Sequence, residues 1–221
     1  MAENLVHIGE TIVNGVLFDP KNTAAWSTLD VESLYRSAPR LFELLDERGV
    51  EYVLVGGIAM LAYVEGRNTQ DIDLIIAAAD LAKMPEIRIE EQNAEFARAW
   101  LGELRVDFLF TKSRLFNKVR KGYATTTRFV ERDIRCATVE GLLLLKLYAL
   151  PSLYRQGRFE KVELYERDVS TLMRIYRPII APLFDELGKH MLASDVDEIR
   201  RIVAEIEDRI AKQSLRFGPA E

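Results

Sequence analysis

The segment between Tyr52 and Ile76 constrains the fold of this chain more than any other part of it. Two short apolar runs, Tyr52–Val55 and Leu74–Ile76, are separated by a Gly-Gly pair, an apolar stretch and a polar turn. Short apolar runs bounded by glycine or by polar turns are typical of buried strands. The pattern therefore predicts two strands joined by a short helix that ends at Gly66.

Three aspartates in this pattern predict a site for a hard divalent cation. Asp71 and Asp73 open the second strand, and residues two apart on a strand leave the same face of it. Two such carboxylates repel each other unless cations lie between them, and Mg²⁺ prefers carboxylate oxygens. Asp107, inside the apolar strand Leu104–Phe110, would complete a two-metal site if that strand lay beside the first. We expect two Mg²⁺ ions here, or Mn²⁺ in their place.

The glycine pair at the end of the first strand predicts a phosphate contact. Gly56 and Gly57 would let backbone N–H groups approach an anion closely at the start of a helix. Taken singly, a Gly-Gly pair is usually a turn, and an Asp-x-Asp pair is more often a solvated strand end. Their joint occurrence with a third carboxylate, in this order, is far more specific.

Composition limits the class of protein. With 221 residues and 48% hydrophobic content, the chain can form one sizeable core with a helical appendage. The only cysteine, Cys136, excludes a disulfide within the chain and a cysteine zinc cluster. No segment approaches the roughly 20 apolar residues of a membrane span, and the N-terminus does not resemble a signal peptide. We therefore expect a cytoplasmic protein that does not enter a membrane.

The remaining patterns predict three regions. Residues 1–30 have no strong period and are expected to form an arm over the core. Residues 31–136 contain the strands described above, preceded by a helix. Residues 137–221 are helical, with a first helix after Thr138 that Pro151 is expected to end or kink.

Residues 112–135 form a local basic stripe in an otherwise acidic chain of net charge −5. Phe116, Tyr123 and Phe129 lie between the basic residues. Basic side chains attract phosphates and aromatic rings stack on bases, so the stripe favours contact with nucleic acid. The alternative is a solvated helix followed by an arginine-rich edge strand. The basic residues are Lys112, Arg114, Lys118, Arg120, Lys121, Arg128, Arg132 and Arg135.

The strand that ends in Gly-Gly, the Asp-x-Asp pair and the later aspartate resemble the nucleotidyltransferases of the DNA polymerase β superfamily over about residues 50–110. The resemblance implies an α+β fold in which a mixed-sheet nucleotidyltransferase core precedes the helical C-terminal region. It also implies that Asp71, Asp73 and Asp107 are catalytic metal ligands, and that a nucleoside triphosphate is the donor and pyrophosphate the leaving group.

The same resemblance extends to the polar turn before Asp71. Arg67-Asn68-Thr69 is similar to the Arg-x-Ser/Thr found in many small members of the superfamily. The resemblance therefore implies that Arg67 and Thr69 bind the nucleotide together with Gly56 and Gly57.

A narrower resemblance lies in the C-terminal region. TVEGLLLLKLYAL and ELYERDVSTLM are similar to the abortive-infection (AbiEii-like) nucleotidyltransferases, the toxins of type IV toxin–antitoxin pairs. This implies catalytic roles for Lys146 and Asp168, an RNA acceptor such as a tRNA 3′ end, and an antitoxin partner. The chain departs from this group at Thr171, where a second Asp is frequent. Seen without the resemblance, Lys146 could snorkel from an apolar helix and Asp168 could pair with a neighbouring arginine.

Other functions stay open at this stage. The acceptor could be a small molecule such as an aminoglycoside, or a protein side chain. The fold could also serve as a nucleotide- or RNA-binding module without turnover. Neither His7 nor His190 has the spacing of a hydrolase triad or of a zinc site, so those chemistries are poorly supported.

Overall fold

The computed structural model describes residues 5–25 and 29–217 and contains a seven-stranded sheet. The strands are β1 (Val53–Val55), β2 (Asp71–Ile76), β3 (Arg88–Gln92), β4 (Phe96–Leu101), β5 (Leu104–Phe110), β6 (Ala124–Arg128) and β7 (Asp133–Ala137). Their order in the sheet is β3-β4-β5-β2-β1-β7-β6. The sheet is mixed, because β2 runs parallel to β5 and β1 runs parallel to β7, whereas the other neighbours are antiparallel.

The helices of the described residues precede, interrupt and follow the sheet. They are α1 (Ile8–Leu17), α2 (Val31–Glu47), α3 (Gly56–Leu61), α4 (Arg114–Gly122), α5 (Val139–Arg155), α6 (Phe159–Tyr176), α7 (Ala181–Leu187) and α8 (Ala193–Phe217). Short 3₁₀ segments follow α1 and β2. The predicted α+β class, with a mixed sheet and a helical C-terminal region, is confirmed.

The chain divides into two compact units, one up to Thr138 and one from Val139 onward. The first contains the whole sheet with α1–α4, and the second contains α5–α8. The boundary lies close to the predicted division between residues 31–136 and 137–221. That these regions are separate domains stays a prediction.

One face of the sheet is a buried apolar layer. The strands alternate because successive side chains point to opposite faces. On β4, for example, Ala97 and Ala99 are fully buried, whereas the alternating residues Phe96, Arg98 and Trp100 are half-buried. The buried face continues across the centre of the sheet with Ile72, Leu74, Ile76, Val106 and Phe108. Each such side chain contributes about 1.5–3 kcal/mol when it leaves water, so this layer holds the central strands in place.

The N-terminal arm contains a helix that the sequence pattern did not predict. α1 buries Ile8 and Ile12 and packs against α2. His7 connects the start of the arm to the core, with Nδ1 2.9 Å from Glu131 Oε1 and Nε2 2.8 Å from the Tyr35 hydroxyl. A helix of ten residues is marginal by itself in water, so tertiary packing supplies its stability. Residues 1–4 and 26–28 of the arm lie outside the described residues.

Pro151 does not end the first helix of the second unit, contrary to one of the two expectations. α5 continues through Pro151 to Arg155. The proline removes one backbone donor from the helix, but its ring is buried among apolar residues near the C-terminal end. None of the helices in the described part of the chain is long and apolar enough to cross a membrane.

Candidate active site

The pairing of β2 with β5 brings the three predicted carboxylates to one face of the sheet. Asp73 lies directly beside Asp107 in the parallel register, and Asp71 lies beside Arg105. Neighbours in register point to the same face, as do residues two apart on one strand. Adjacent strands are about 4.8 Å apart. Asp71, Asp73 and Asp107 therefore form a compact acidic group.

Gly56 lies against this group from the other neighbouring strand. Val55, at the end of β1, is the register partner of Asp73, and Gly56 follows it with a φ of +64°. A Cβ atom at Gly56 would overlap the Asp73 carboxylate. Only glycine satisfies both the backbone conformation and the close approach.

The second glycine contacts the polar turn before β2. A Cβ at Gly57 would overlap Thr69 Oγ1 and the Arg67 guanidinium. Thr69 Oγ1 in turn donates a hydrogen bond of 3.0 Å to Asp71 Oδ1. Gly57, Arg67 and Thr69 thus lie together beside the acidic group, and their predicted role in nucleotide binding stays a prediction.

The N-terminal arm holds the same turn, which the sequence pattern did not indicate. Gln70 Nε2 donates to Asp19 Oδ2 at 2.5 Å, and Asn22 Nδ2 donates to Gln70 Oε1 at 3.1 Å. Gln70 directly precedes Asp71. These hydrogen bonds from the arm therefore hold the residue that directly precedes the first strand residue of the site.

Two arginines that sequence reasoning missed lie against the carboxylates. Arg105 donates a hydrogen bond to Asp71, and its Nη2 is 3.9 Å from Asp107 Oδ2. Arg98 Nε, on β4, is 3.4 Å from Asp107 Oδ1. Burial opposes the charge of Arg105, but the Asp71 and Asp107 carboxylates outweigh it and raise the pKa of Arg105 above its ordinary value. The alternation Arg105-x-Asp107 within one strand was a usable signal, because it places both side chains on one face.

The donor chemistry of the acidic group fits a hard divalent cation. Its carboxylate oxygens are the ligands that Mg²⁺ prefers, and the Asp73 carboxylate occupies the space that a side chain at Gly56 would need. Among the described residues, no three His, Cys, Asp or Glu side chains are arranged to hold a metal ion as they stand. The guanidinium of Arg105 lies on the oxygens instead, so it would have to turn away from Asp71 for a cation to bind there.

Replacing Arg105 with Gln tests whether Arg105 and a divalent cation compete for the same carboxylate oxygens. We expect the melting temperature in EDTA to fall by a few degrees, because the three carboxylates lose their nearest cation. Mn²⁺ binding, measured by electron paramagnetic resonance, should become several-fold tighter, since the ion no longer displaces an ion pair worth roughly 1 kcal/mol. Arg105→Lys keeps the charge and should behave like the wild type. Weaker Mn²⁺ binding by Arg105→Gln would contradict this reading.

Replacing Gly56 with Ala should damage the site as well as the fold. The positive φ costs about 1–2 kcal/mol for alanine, and the added methyl group displaces the Asp73 carboxylate. We expect lower stability in urea and a loss of Mn²⁺ binding. Gly66→Ala is the matched control, because Gly66 also has a positive φ, of +73°, but its Cβ would meet nothing within 4 Å. Equal Mn²⁺ binding by the two variants would show that Gly56 does not position Asp73.

Lys146 and Asp168 form a buried ion pair in the second unit. Lys146 Nζ is 2.7 Å from Asp168 Oδ2, and the two residues are 4% and 3% exposed. Lys146 Nζ also lies 4.4 Å from the centre of the Tyr165 ring. The alternatives of a snorkelling lysine and a surface Asp168 are therefore wrong. The catalytic role of this pair stays a prediction.

The basic stripe is only partly available to a ligand. Arg120, Arg128 and Arg132 pair with acidic residues, and Arg135 donates to the Arg120 carbonyl. Phe129 is fully buried and has no face for stacking, contrary to the expectation for the aromatic residues of the stripe. The stripe residues that form no ion pair within the described parts of the chain are Lys112, Arg114, Lys118 and Lys121.

Comparison with known proteins identifies the fold. No protein-family model and no curated protein matches the sequence. The structure is similar to the antibiotic-resistance factor ANT(2'')-Ia, with a TM-score of 0.51 and 16% identity over 83% of this chain and 97% of that one. It is also similar to an antigenic nucleotidyltransferase-like protein from Paracoccidioides brasiliensis, with a TM-score of 0.56 and 15% identity over 82% of this chain and 91% of that one.

These similarities bear on the two resemblances differently. Nothing in them concerns type IV toxins, so the narrower resemblance stays a prediction. At identities this low, structural similarity speaks for the fold. The chain has the fold of the nucleotidyltransferases, and the broader resemblance is confirmed at that level.

Proposed function

We propose that this protein is a Mg²⁺-dependent enzyme that transfers a nucleotidyl group from a nucleoside triphosphate to an acceptor hydroxyl and releases pyrophosphate. The observation that supports this most is the register of Asp73 beside Asp107, with Asp71 on the same face and the Gly56 backbone against Asp73. A purely structural role would not explain why three carboxylates that repel one another are grouped beside a glycine of positive φ.

Each group at the site has a part in this reaction. Backbone N–H groups of Gly56 and Gly57 would bind the triphosphate. Divalent ions held by the three aspartates would stabilise the attacking and leaving oxygens of an in-line displacement. Asp107 lies on the side of Asp73 away from Gly56, where it would orient the acceptor hydroxyl or accept its proton. Arg105, once it leaves Asp71, would neutralise charge on the phosphates.

The proposal includes roles for Lys146 and Asp168, which follow from the narrower resemblance. Lys146 Nζ lies 2.7 Å from Asp168 Oδ2, so the two opposite charges compensate each other at a buried position. By this resemblance, Lys146 would supply positive charge for the reaction and Asp168 would hold its ammonium group in place.

We propose RNA, such as a tRNA 3′ end, as the acceptor. The unpaired basic residues of the stripe supply attraction for phosphates in a chain that is otherwise acidic. Incubation with radiolabelled nucleoside triphosphates, Mg²⁺ and total RNA tests this directly. We expect label in RNA with the wild type and none with Asp71→Asn/Asp73→Asn. Equal labelling by both proteins would refute the mechanism.

We also propose that the modification inhibits growth and that an antitoxin protein counteracts it. Induced expression of the wild type in a bacterial host should arrest growth, whereas Asp73→Asn at the same protein level should not. Arrest by both proteins would separate toxicity from nucleotidyl transfer.

A small-molecule acceptor is the second candidate, and the structural similarity to an antibiotic-resistance factor favours it. The same labelling reaction with tobramycin in place of RNA distinguishes the two. Label that moves to the aminoglycoside and not to RNA would replace the first candidate with this one. Calorimetric titration with ATP and Mg²⁺ tests nucleotide binding separately from the acceptor.

A further inference from the structure

The strand order places different groups on the two sides of the carboxylates. β1, which leads into Gly56, lies on one side of β2, and β5 followed by β4 lies on the other side. Two strand spacings separate β4 from β2 by roughly 10 Å. An acceptor that reaches Asp107 from the side away from Gly56 therefore meets β4.

The half-buried face of β4 alternates aromatic and basic side chains. Phe96, Arg98 and Trp100 share this face, because each is two residues from the next. Arg98 is the register partner of Asp107, and Trp100 is the register partner of Arg105. The three side chains, which we call the β4 surface, thus continue the face that holds the carboxylates.

Neighbouring contacts hold the β4 surface in shape. Trp100 Nε1 donates a hydrogen bond of 3.1 Å to Glu90 Oε2, which orients the indole. The Arg88 guanidinium carbon lies 6.0 Å from the Trp100 ring centre, and that of Arg98 lies 5.6 Å from the Phe96 ring centre. Arg98 also lies 3.4 Å from both Glu91 Oε2 and Asp107 Oδ1, so a phosphate has to compete with these carboxylates for its guanidinium. Two arginines thus lie beside the two aromatic rings of this surface.

We propose that the β4 surface binds the 3′-terminal nucleotides of single-stranded RNA as the acceptor. Aromatic rings stack on unpaired bases, and a guanidinium binds phosphate through paired hydrogen bonds. An aminoglycoside has no aromatic base to stack on Phe96 or Trp100 and no phosphate to bind Arg98. Bases in a duplex are already stacked on one another, so a single-stranded end fits better. The inference rests on the proposed nucleotidyl transfer, for which it names the acceptor site.

Tryptophan fluorescence gives a direct test. The chain has two tryptophans, so a Trp26→Phe protein reports on Trp100 alone. We expect an RNA of about ten nucleotides, long enough to span such a site, to quench this fluorescence in a saturable way. Tobramycin at the same concentrations should leave it unchanged.

Further substitutions in the Trp26→Phe protein test whether RNA binds at β4. Trp100→Leu should weaken RNA binding, measured by fluorescence anisotropy of labelled RNA, about tenfold or more, whereas Trp100→Phe should retain most of it. Arg98→Gln should reduce the salt dependence of binding by about one phosphate contact. Ile89→Ala is the matched control, because Ile89 is 44% exposed on β3 but pairs with Ala99, on the opposite face. Circular dichroism verifies that each variant is folded.

The outcomes separate this inference from the proposed function. RNA binding that Trp100→Leu leaves intact in folded protein would overturn the β4 surface as the acceptor site, and so would quenching by tobramycin instead of RNA. Calorimetry of the Trp26→Phe protein with ATP and Mg²⁺ reports on the donor side. ATP binding without RNA quenching would overturn only the acceptor site, whereas failure to bind ATP would count against nucleotidyl transfer itself.

Discussion

Replacing Asp73 with Asn should reduce nucleotidyl transfer by about 10³-fold or more. Asp73 is the central member of the acidic group, because it lies beside Asp107 in register, two residues from Asp71 and in contact with Gly56. The amide keeps the shape of the side chain but removes the negative charge that a divalent cation requires. Initial rates with labelled nucleoside triphosphate measure the loss, and Mn²⁺ binding should weaken with it.

Asp133→Asn is the matched control for this variant. Asp133 is also at a strand of the same sheet, but its side chain is 63% exposed and pairs with Arg128. We expect activity close to that of the wild type, since an exposed ion pair contributes little. A similar loss in both variants would mean that general charge, not the acidic group, controls activity. Full activity in Asp73→Asn would contradict the proposed site.

Replacing Lys146 with Met should lower the free energy of unfolding by about 3–5 kcal/mol. The change keeps the apolar stem but removes the cation next to the Asp168 carboxylate, which is almost completely buried. Breaking one member of a buried pair leaves the other charge in a medium that solvates it poorly. Unfolding in urea, followed by circular dichroism, measures the effect.

Two further variants separate this effect from a general loss of packing. The double change Lys146→Met/Asp168→Leu should recover most of the stability, because it removes both charges together. Arg155→Met breaks the ion pair with Asp195 at a position where the arginine side chain is 62% exposed, and it should cost less than about 1 kcal/mol. If the double variant is stable but has no transferase activity, the pair is retained for function.

Local sequence patterns predicted most of the helices and strands, because the backbone period of each element depends on residues that are close in sequence. The helix α2 and the strands β2, β4 and β5 follow from the spacing of their apolar residues, which reports on the local period of the backbone. α1 was missed since its stability comes from packing against α2 and not from its own propensity. Pro151 does not end α5, because near the end of this helix it removes a backbone donor without stopping it.

The candidate site was predicted in part for the same reason. Asp71 and Asp73 share a face by strand geometry alone, so their proximity follows from the sequence. The arginines were missed because their importance depends on which strands are neighbours. Arg98 is on β4 and reaches Asp107 only through the pairing of β4 with β5.

The sequence by itself determined the two strands around a short helix, the pair of aspartates on one strand face and the glycine pair after the first strand. Only the tertiary structure decided that β5 lies beside β2, that Asp107 aligns with Asp73, and that Arg105 lies on Asp71. The physical reason is the range of the interactions. Side-chain alternation is a property of each strand, whereas a shift of one residue in the β2–β5 register would move Asp107 to the opposite face. That register is set by burying apolar faces of segments that are distant in the chain.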